Sequence, residues 1–165
     1  MLDIRFIDKS ELSTLCEIYD KIVGDDVAGK VFWDGTINSR GDFVSCMSNW
    51  DNIIYGVYDG DKWFAVAWIN CFVGKTAQLH YCVFRDGHGR PEIGRDMVNF
   101  IMHLKYNGEY CIDALVGITP KENRLAVRYM KKSGFSVLED TVYYKHAITG
   151  EFIPVVTSIC TRGGL

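Results

Sequence analysis

The sequence predicts one α/β (α+β) domain spanning residues 1–165. Three observations predict it. The chain is long enough for a single core, with 48% hydrophobic and 24% charged residues, the balance of an ordinary folded domain. Its elements read in the order β-α-α-β-β-β-α-β-α-β-β, with no repeat or low-complexity linker between them. One stretch, Gly117 to Phe135, carries helix signals at both ends.

Leu2 to Ile7 reads as the first strand. Ser10 can cap a helix reaching about Val23, with Leu12, Leu15, Ile18 or Tyr19, and Ile22 on one face. Gly24 to Gly35 is irregular and carries the bulky pair Phe32-Trp33. A second helix is expected over Arg40 to Asn49. Three strands follow, Ile53–Tyr58, Trp63–Phe72 and Ala77–Phe84, joined at Asp59-Gly60-Asp61 and Val73-Gly74-Lys75 by hairpin turns. After the glycine-bearing loop Asp86–Arg90, a helix is expected from Pro91 to Tyr106, stopped by Asn107-Gly108.

Ile112 to Val116 reads as a short buried strand. In the next helix Thr119 has the chemistry of an N-cap, Pro120 falls at the first helical position, and Glu122 completes a capping-box spacing. Gly134 ends the helix, and Phe135 packs back on it. Leu125, Ala126, Tyr129 and Met130 share an apolar face; Arg124, Arg128, Lys131 and Lys132 share a basic one. Val137–His146 and Phe152–Thr161 are the last two strands, joined around Thr149-Gly150.

Composition narrows the function classes. A net charge of −3 argues against a general nucleic-acid binder. No apolar run approaches a membrane span, and the N-terminus lacks a signal-peptide layout, so a cytoplasmic location is expected. The six cysteines are scattered without a C-x-x-C pair, and the four histidines do not cluster, so no metal site is expected. Most of the cysteines read as reduced core thiols.

The capped unit also carries a resemblance. An apolar-Gly-apolar strand end, then Pro120, Asn123, Ala126, Lys132, Gly134 and Phe135, resembles the acetyl-CoA-binding half of the GNAT superfamily of N-acetyltransferases. The likeness covers Thr76 to Tyr144, and the element order follows the family along nearly the whole chain. It implies a mixed, twisted sheet of six to seven strands flanked by about four helices, whose fourth and fifth strands, here Ala77–Phe84 and Ile112–Val116, splay to admit the cosubstrate. The tail Thr149–Gly164 resembles that of GNAT-like proteins carried by prophages.

The resemblance implies acetyl transfer from acetyl-CoA directly to an amine, on a small molecule or a peptide, and leaves room for a homodimer. The corresponding strand-loop-helix junction binds the CoA pyrophosphate, which points to Arg85, Gly87, Gly89, Arg90 and Gly94. Glycines let a ligand approach the backbone, and helix N-termini offer N–H groups to anions. The chain departs from the family pattern Q/R-x-x-G-x-G/A: with Ile93-Gly94-Arg95 in register, Arg90 and Glu92 stand where glycines are expected. Asn123 either contacts CoA or satisfies local backbone. The backbone N–H of Val83 or Phe84 is the candidate oxyanion donor.

An amine with pKa near 10.4 must lose a proton before it attacks, and His80 on the fourth strand, sharing a face with Gln78 and Cys82, is the candidate base or else a core histidine. The family's tyrosine acid is replaced by Met130, with Tyr129 one position away on an apolar arc. Phe32-Trp33 either line the acceptor site or pack in the core; Trp50, Trp63 and Trp68 add to the aromatic content. The basic helix face is solvated surface or a contact for the CoA 3′-phosphate. Two rivals remain: a GNAT-fold acyl-CoA-binding or interaction module with weakened catalysis, and an unrelated α+β ligand-binding domain.

Overall fold

The structure, a computed structural model, describes residues 2–164. The strands are β1 (Asp3–Phe6), β2 (Ile53–Asp59), β3 (Lys62–Val73), β4 (Thr76–Val83), β5 (Lys105–Tyr106), β6 (Glu109–Tyr110), β7 (Ala114–Pro120), β8 (Ser136–Lys145) and β9 (Phe152–Thr161). The helices are α1 (Leu12–Gly24), α2 (Ala28–Val31), α3 (Arg40–Met47), α4 (Pro91–Met102) and α5 (Arg124–Lys132). Seven strands form one mixed sheet in the order β1-β2-β3-β4-β7-β9-β8, and β5-β6 is a separate hairpin. Among the described residues only β4 and β7 pair in parallel.

Two cores lie on opposite faces of this sheet. One packs Ile93, Met97 and Ile101 of α4 on Ala65, Ala67, Leu79 and Leu115. The other packs Leu15, Ile18, Ile22, Phe43 and Met47 of α1 and α3 on Val66, Trp68 and Cys82. Strand alternation makes this division: successive residues of β3 and β4 point to opposite faces.

The fourth and fifth strands of the large sheet, β4 and β7, splay as expected. Their ladder holds only Thr76↔Ala114, Ala77↔Leu115 and Gln78↔Val116, after which both strands continue unpaired with each other. On its other edge β7 stays paired with β9 as far as Pro120↔Val155.

Several local expectations are corrected. β7 starts at Ala114, not Ile112, and runs through Thr119 and Pro120, which were expected to open a helix. Lys121 N–H donates to Pro154 O at 2.9 Å, so Pro120 occupies a non-hydrogen-bonded position and its missing N–H faces away from β9. A proline is harmless there. α5 begins at Arg124, capped by Asn123, whose Oδ1 accepts from Ala126 N–H at 3.2 Å. Leu125, expected on the apolar face, is 74% exposed.

Ser10 does not cap α1; Glu11 precedes the helix without a side-chain cap. The irregular stretch contains the single helical turn α2. α4 ends at Met102, and Asn107-Gly108, both at positive φ, turn the β5–β6 hairpin instead of stopping a helix. Of the cysteines, only Cys82 and Cys160 are buried; Cys46, Cys71 and Cys111 are exposed, and all six are free thiols. Among the described residues no helix is long and apolar enough to cross a membrane.

Candidate functional site

Where β4 and β7 part, a cavity of about 470 Å³ opens. The strand register sets what faces it. Phe84 N–H donates to Phe64 O at 2.8 Å, which makes Val83↔Ala65 a non-hydrogen-bonded pair. The N–H and C=O of Val83, and two residues earlier those of Tyr81, therefore point away from β3 into the gap. By the same parity, fixed by Lys121 N–H on Pro154 O, the backbone groups of Ile118 face the gap from β7. The gap thus has sheet-edge donors and acceptors on both sides, spaced as in a strand.

Two glycines let α5 come down on this gap. A Cβ on Gly94 of α4 would stand 2.3 Å from Ser133 Oγ and 2.6 Å from Tyr129 Cε1. On Gly117 of β7 it would stand 2.4 Å from Met130 Cε. Tyr129 reaches past Gly94: its hydroxyl accepts from Gly94 N–H at 2.9 Å and donates to Arg90 O at 3.3 Å. Its ring stacks on Tyr81, with centroids 5.7 Å apart and hydroxyls 3.4 Å apart. Burial raises the Tyr129 pKa and holds that of Tyr81 well above the ordinary phenol value.

The expected site residues divide. His80, Val83, Gly87, Gly89 and Asn123 line the cavity. Phe84, Arg85, Arg90 and Gly94 do not. Phe84 N–H is already taken by Phe64 O, which leaves Val83 with the free N–H. Arg85 N–H donates to Asp25 Oδ2 at 2.7 Å, and its side chain is exposed. Arg90 is held by Glu92 at 2.8 Å and Asp59 at 3.6 Å, over the Phe64 ring. Gly94 N–H is occupied by Tyr129. Gly87 is buried, and a Cβ there would meet Phe64 O at 2.8 Å.

His80 sits in a defined frame. Its ring stacks on Trp68 at 5.1 Å and 3°, and Nε2 lies 3.1 Å from Asn70 Oδ1. Asn70 Nδ2 donates to Asn52 Oδ1 at 2.9 Å, and Asn52 Nδ2 donates to Cys46 O at 2.7 Å. With the amides in this orientation, Asn70 Oδ1 is an acceptor, so Nε2 carries the proton and Nδ1 keeps its lone pair. Burial lowers the His80 pKa to about 4; the Asp34 carboxylate pulls weakly the other way. His80 is therefore neutral at pH 7. The Asn52–Asn70 relay joins residues far apart in sequence and has no local sequence signal.

The rest of the wall was partly legible. Trp33 and Trp68 line the cavity, and Trp33 meets Tyr144 edge-on at 5.2 Å. Phe32 instead packs between Tyr19 and Phe43, Trp63 stacks on Tyr58, and Trp50 is 86% exposed. Arg128 and Lys132 of α5, and Lys30 of α2, supply the charge. Cys82 also lines the cavity, but burial pushes its thiol up to about 12. Among the described residues, no group of three or more His, Cys, Asp or Glu side chains is placed to hold a metal ion.

No protein-family model matches the sequence, and no curated protein matches it. Solved structures do match. The spermidine N-acetyltransferase of Vibrio cholerae, in complex with CoA and spermine, superposes with a TM-score of 0.70 at 13% identity, over 99% of this chain and 96% of that one. The acetyl transfer enzyme of Salmonella typhimurium that modifies the N-terminal serine of ribosomal protein L7/L12 gives 0.71 at 14% identity, over 97% and 94%. AAC(6')-Ib in complex with paromomycin and acetyl-CoA gives 0.72 at 14% identity, over 99% and 94%. This is the GNAT fold. Within it, the parted strands β4 and β7 are the feature expected from the resemblance, and the likeness spans almost the whole chain rather than its second half alone.

Proposed function

We propose that the protein is an N-acetyltransferase that moves an acetyl group from acetyl-CoA directly to an amine. The observation that carries this reading is the gap between β4 and β7, edged by the unpaired backbone groups of Tyr81 and Ile118 and by the N–H of Val83, whose carbonyl lies 3.3 Å from His88 Nε2. An extended arm containing amides is the ligand such an edge fits, because it can add its own N–H and C=O groups like a strand. Arg128 and Lys132, which form no ion pair with a described carboxylate, stand beside one end of the gap for phosphate charge, and Gly89, in open space, lets a ligand approach the backbone there. His80, Trp33 and Trp68 wall the other end for the acceptor.

Acetyl-CoA supplies the acetyl group as a thioester; the amine nitrogen bonds the carbonyl carbon, the C–S bond breaks, one amine proton leaves, and CoA departs as a thiol. Val83 N–H is the donor for the developing oxyanion. His80 accepts a hydrogen bond from the amine through Nδ1 and holds it toward the gap. At a pKa of about 4 it is too weak to take the proton of an ammonium outright. The neutral amine is instead favoured by the site itself, which is partly desolvated and carries cations but no carboxylate among its described lining residues. Cys82 stays a thiol, so transfer needs no acyl-cysteine. Six unpaired cysteines fit a cytoplasmic protein.

Two measurements test the reading. Acetyl-CoA at about 100 times its Kd adds roughly 2.7 kcal/mol, which raises Tm by roughly 5–10 °C for a chain of this size. Absence of a shift at millimolar acetyl-CoA refutes cosubstrate binding. Thiol release across an amine panel then separates an enzyme from the second reading, an acyl-CoA-binding module with weakened catalysis. That second reading is favoured by Met130 at the tyrosine position and by the engagement of the Tyr129 hydroxyl with α4.

A further inference from the structure

Charge in the groove is one-sided. Its walls carry Lys30, Arg128 and Lys132, and no aspartate or glutamate stands among the described lining residues, although the chain as a whole has a net charge of −3. Arg128 and Lys132 belong to the α5 end. Lys30 belongs to α2, whose Val27 and Val31 pack with Trp68 on the sheet face opposite the one on which Met130 of α5 packs. Its placement follows from α2: positions 27, 30 and 31 have i, i+3, i+4 spacing, so one turn turns all three toward the groove. Lys30 is exposed and forms no ion pair with a described carboxylate.

The acid that reaches His80 electrostatically, Asp34, is not part of the wall. Its Oδ1 is held by Thr36, from N–H at 3.1 Å and from Oγ1 at 2.8 Å. A polycationic acceptor entering past Lys30 would therefore meet like charge and no counter-ion. An acceptor carrying an anion would meet one free ammonium and an apolar, aromatic wall.

Building on the acetyl-transfer reading, we propose that the acceptor is a small primary amine carrying a carboxylate, and that Lys30 binds this carboxylate and selects against polyamines. The same ammonium favours the reactive state of the acceptor, since a cation nearby lowers an amine's pKa. The neutral His80 fits such a substrate: it accepts from the amine without adding charge next to it.

The test uses the full chain with saturating acetyl-CoA, and reads thiol release with three sets of acceptors. These are α-, β- and γ-aminocarboxylates with apolar or aromatic bodies, the matching amides, and spermidine. We expect kcat/KM for the best aminocarboxylate to exceed that of its amide by roughly three- to tenfold, the range of one partly exposed ion pair. Lys30→Met brings that ratio close to one, and Lys30→Glu shifts preference toward the amide and spermidine. Equal rates for acid and amide, spermidine as the fastest acceptor, or no turnover of any aminocarboxylate by a protein that acetyl-CoA stabilises, would each overturn the proposal while leaving cosubstrate binding in place. Failure of the underlying reading looks different: acetyl-CoA then gives no thermal shift, and both conclusions fall.

Discussion

Replacing Tyr129 with phenylalanine separates a structural hydroxyl from a catalytic one. The hydroxyl accepts from Gly94 N–H at 2.9 Å, donates to Arg90 O at 3.3 Å and lies 3.4 Å from the Tyr81 hydroxyl. Tyr129→Phe removes no ring contact, so the stacking on Tyr81 survives. It leaves the Gly94 N–H without its partner in a half-buried place where water enters poorly. A lost hydrogen bond that strands one buried donor costs about 1–3 kcal/mol. For a chain of this length each kcal/mol moves Tm by roughly 2–4 °C, so a fall of roughly 2–12 °C is expected. A general acid would behave otherwise: its removal costs on the order of 10²–10⁴ in rate with little change in stability. Thermal unfolding and thiol release at saturating acetyl-CoA, both from pH 6 to 9, read the two effects on one sample. The expected result is a lower Tm, with kcat within about tenfold of the parent, below the loss a general acid brings. A kcat loss of two orders of magnitude or more at unchanged Tm would refute the structural assignment.

Three further outcomes follow from the same geometry. His80 titrates at about 4 when folded, against about 6.5 when unfolded. Between those values the unfolded chain binds more protons, so this contribution is complete above pH 6.5 and is lost as pH falls toward 4. It amounts to roughly 3 kcal/mol at most. Urea unfolding at pH 4.5 and 7.5 should show a larger pH difference for the parent than for His80→Gln, and equal differences would contradict the burial argument. Gly94→Ala should destabilise by about 1–3 kcal/mol, because its Cβ meets a tyrosine ring. Gly117→Ala should cost less, since Met130 Cε is the movable end of its side chain; the reverse ranking in denaturant unfolding would count against this picture of α5 packing. Mass spectrometry after incubation with acetyl-CoA alone should find Cys82 unmodified, and Cys82→Ala should still release thiol; an acetylated Cys82 would sink direct transfer.

The sheet was legible where hydrophobic alternation meets short turns. β9 has the expected bounds, and β2, β3 and β4 differ by a residue at their ends. Errors fell where one local signal had two meanings. Thr119-Pro120 has the chemistry of a helix start, yet pairing with Val156 and Val155 keeps both residues in β7. The proline is tolerated because its nitrogen faces the splay. Asn107-Gly108 fits a helix end or a two-residue hairpin, and Lys105–Tyr110 took the hairpin. The expected cap passed to Asn123, whose local role was one of its two readings. His80 could be placed on its strand from sequence, but its tautomer and low pKa come from Asn52, Asn70 and Trp68. No local pattern links those three.

Two departures from the family pattern turn out to be one structural arrangement. At the start of α4 the expected glycines are replaced by Arg90 and Glu92, and in α5 the tyrosine stands one residue early. Glu92 would repel a phosphate, but it is paired with Arg90 at 2.8 Å, which holds its carboxyl below the usual range. The carbonyl of Arg90 and the N–H of Gly94 both bond the Tyr129 hydroxyl. A tyrosine at position 130 would point about 100° away around the helix and leave Gly94 N–H open. The α4 N-terminus is therefore satisfied from within the chain, by the residue whose shift made the catalytic pattern look incomplete. Beside that end of the groove, the Gly89 N–H and the Arg128 and Lys132 side chains carry no hydrogen bond or ion pair to a described residue, whereas Gly87 N–H is taken by Phe84 O at 2.8 Å.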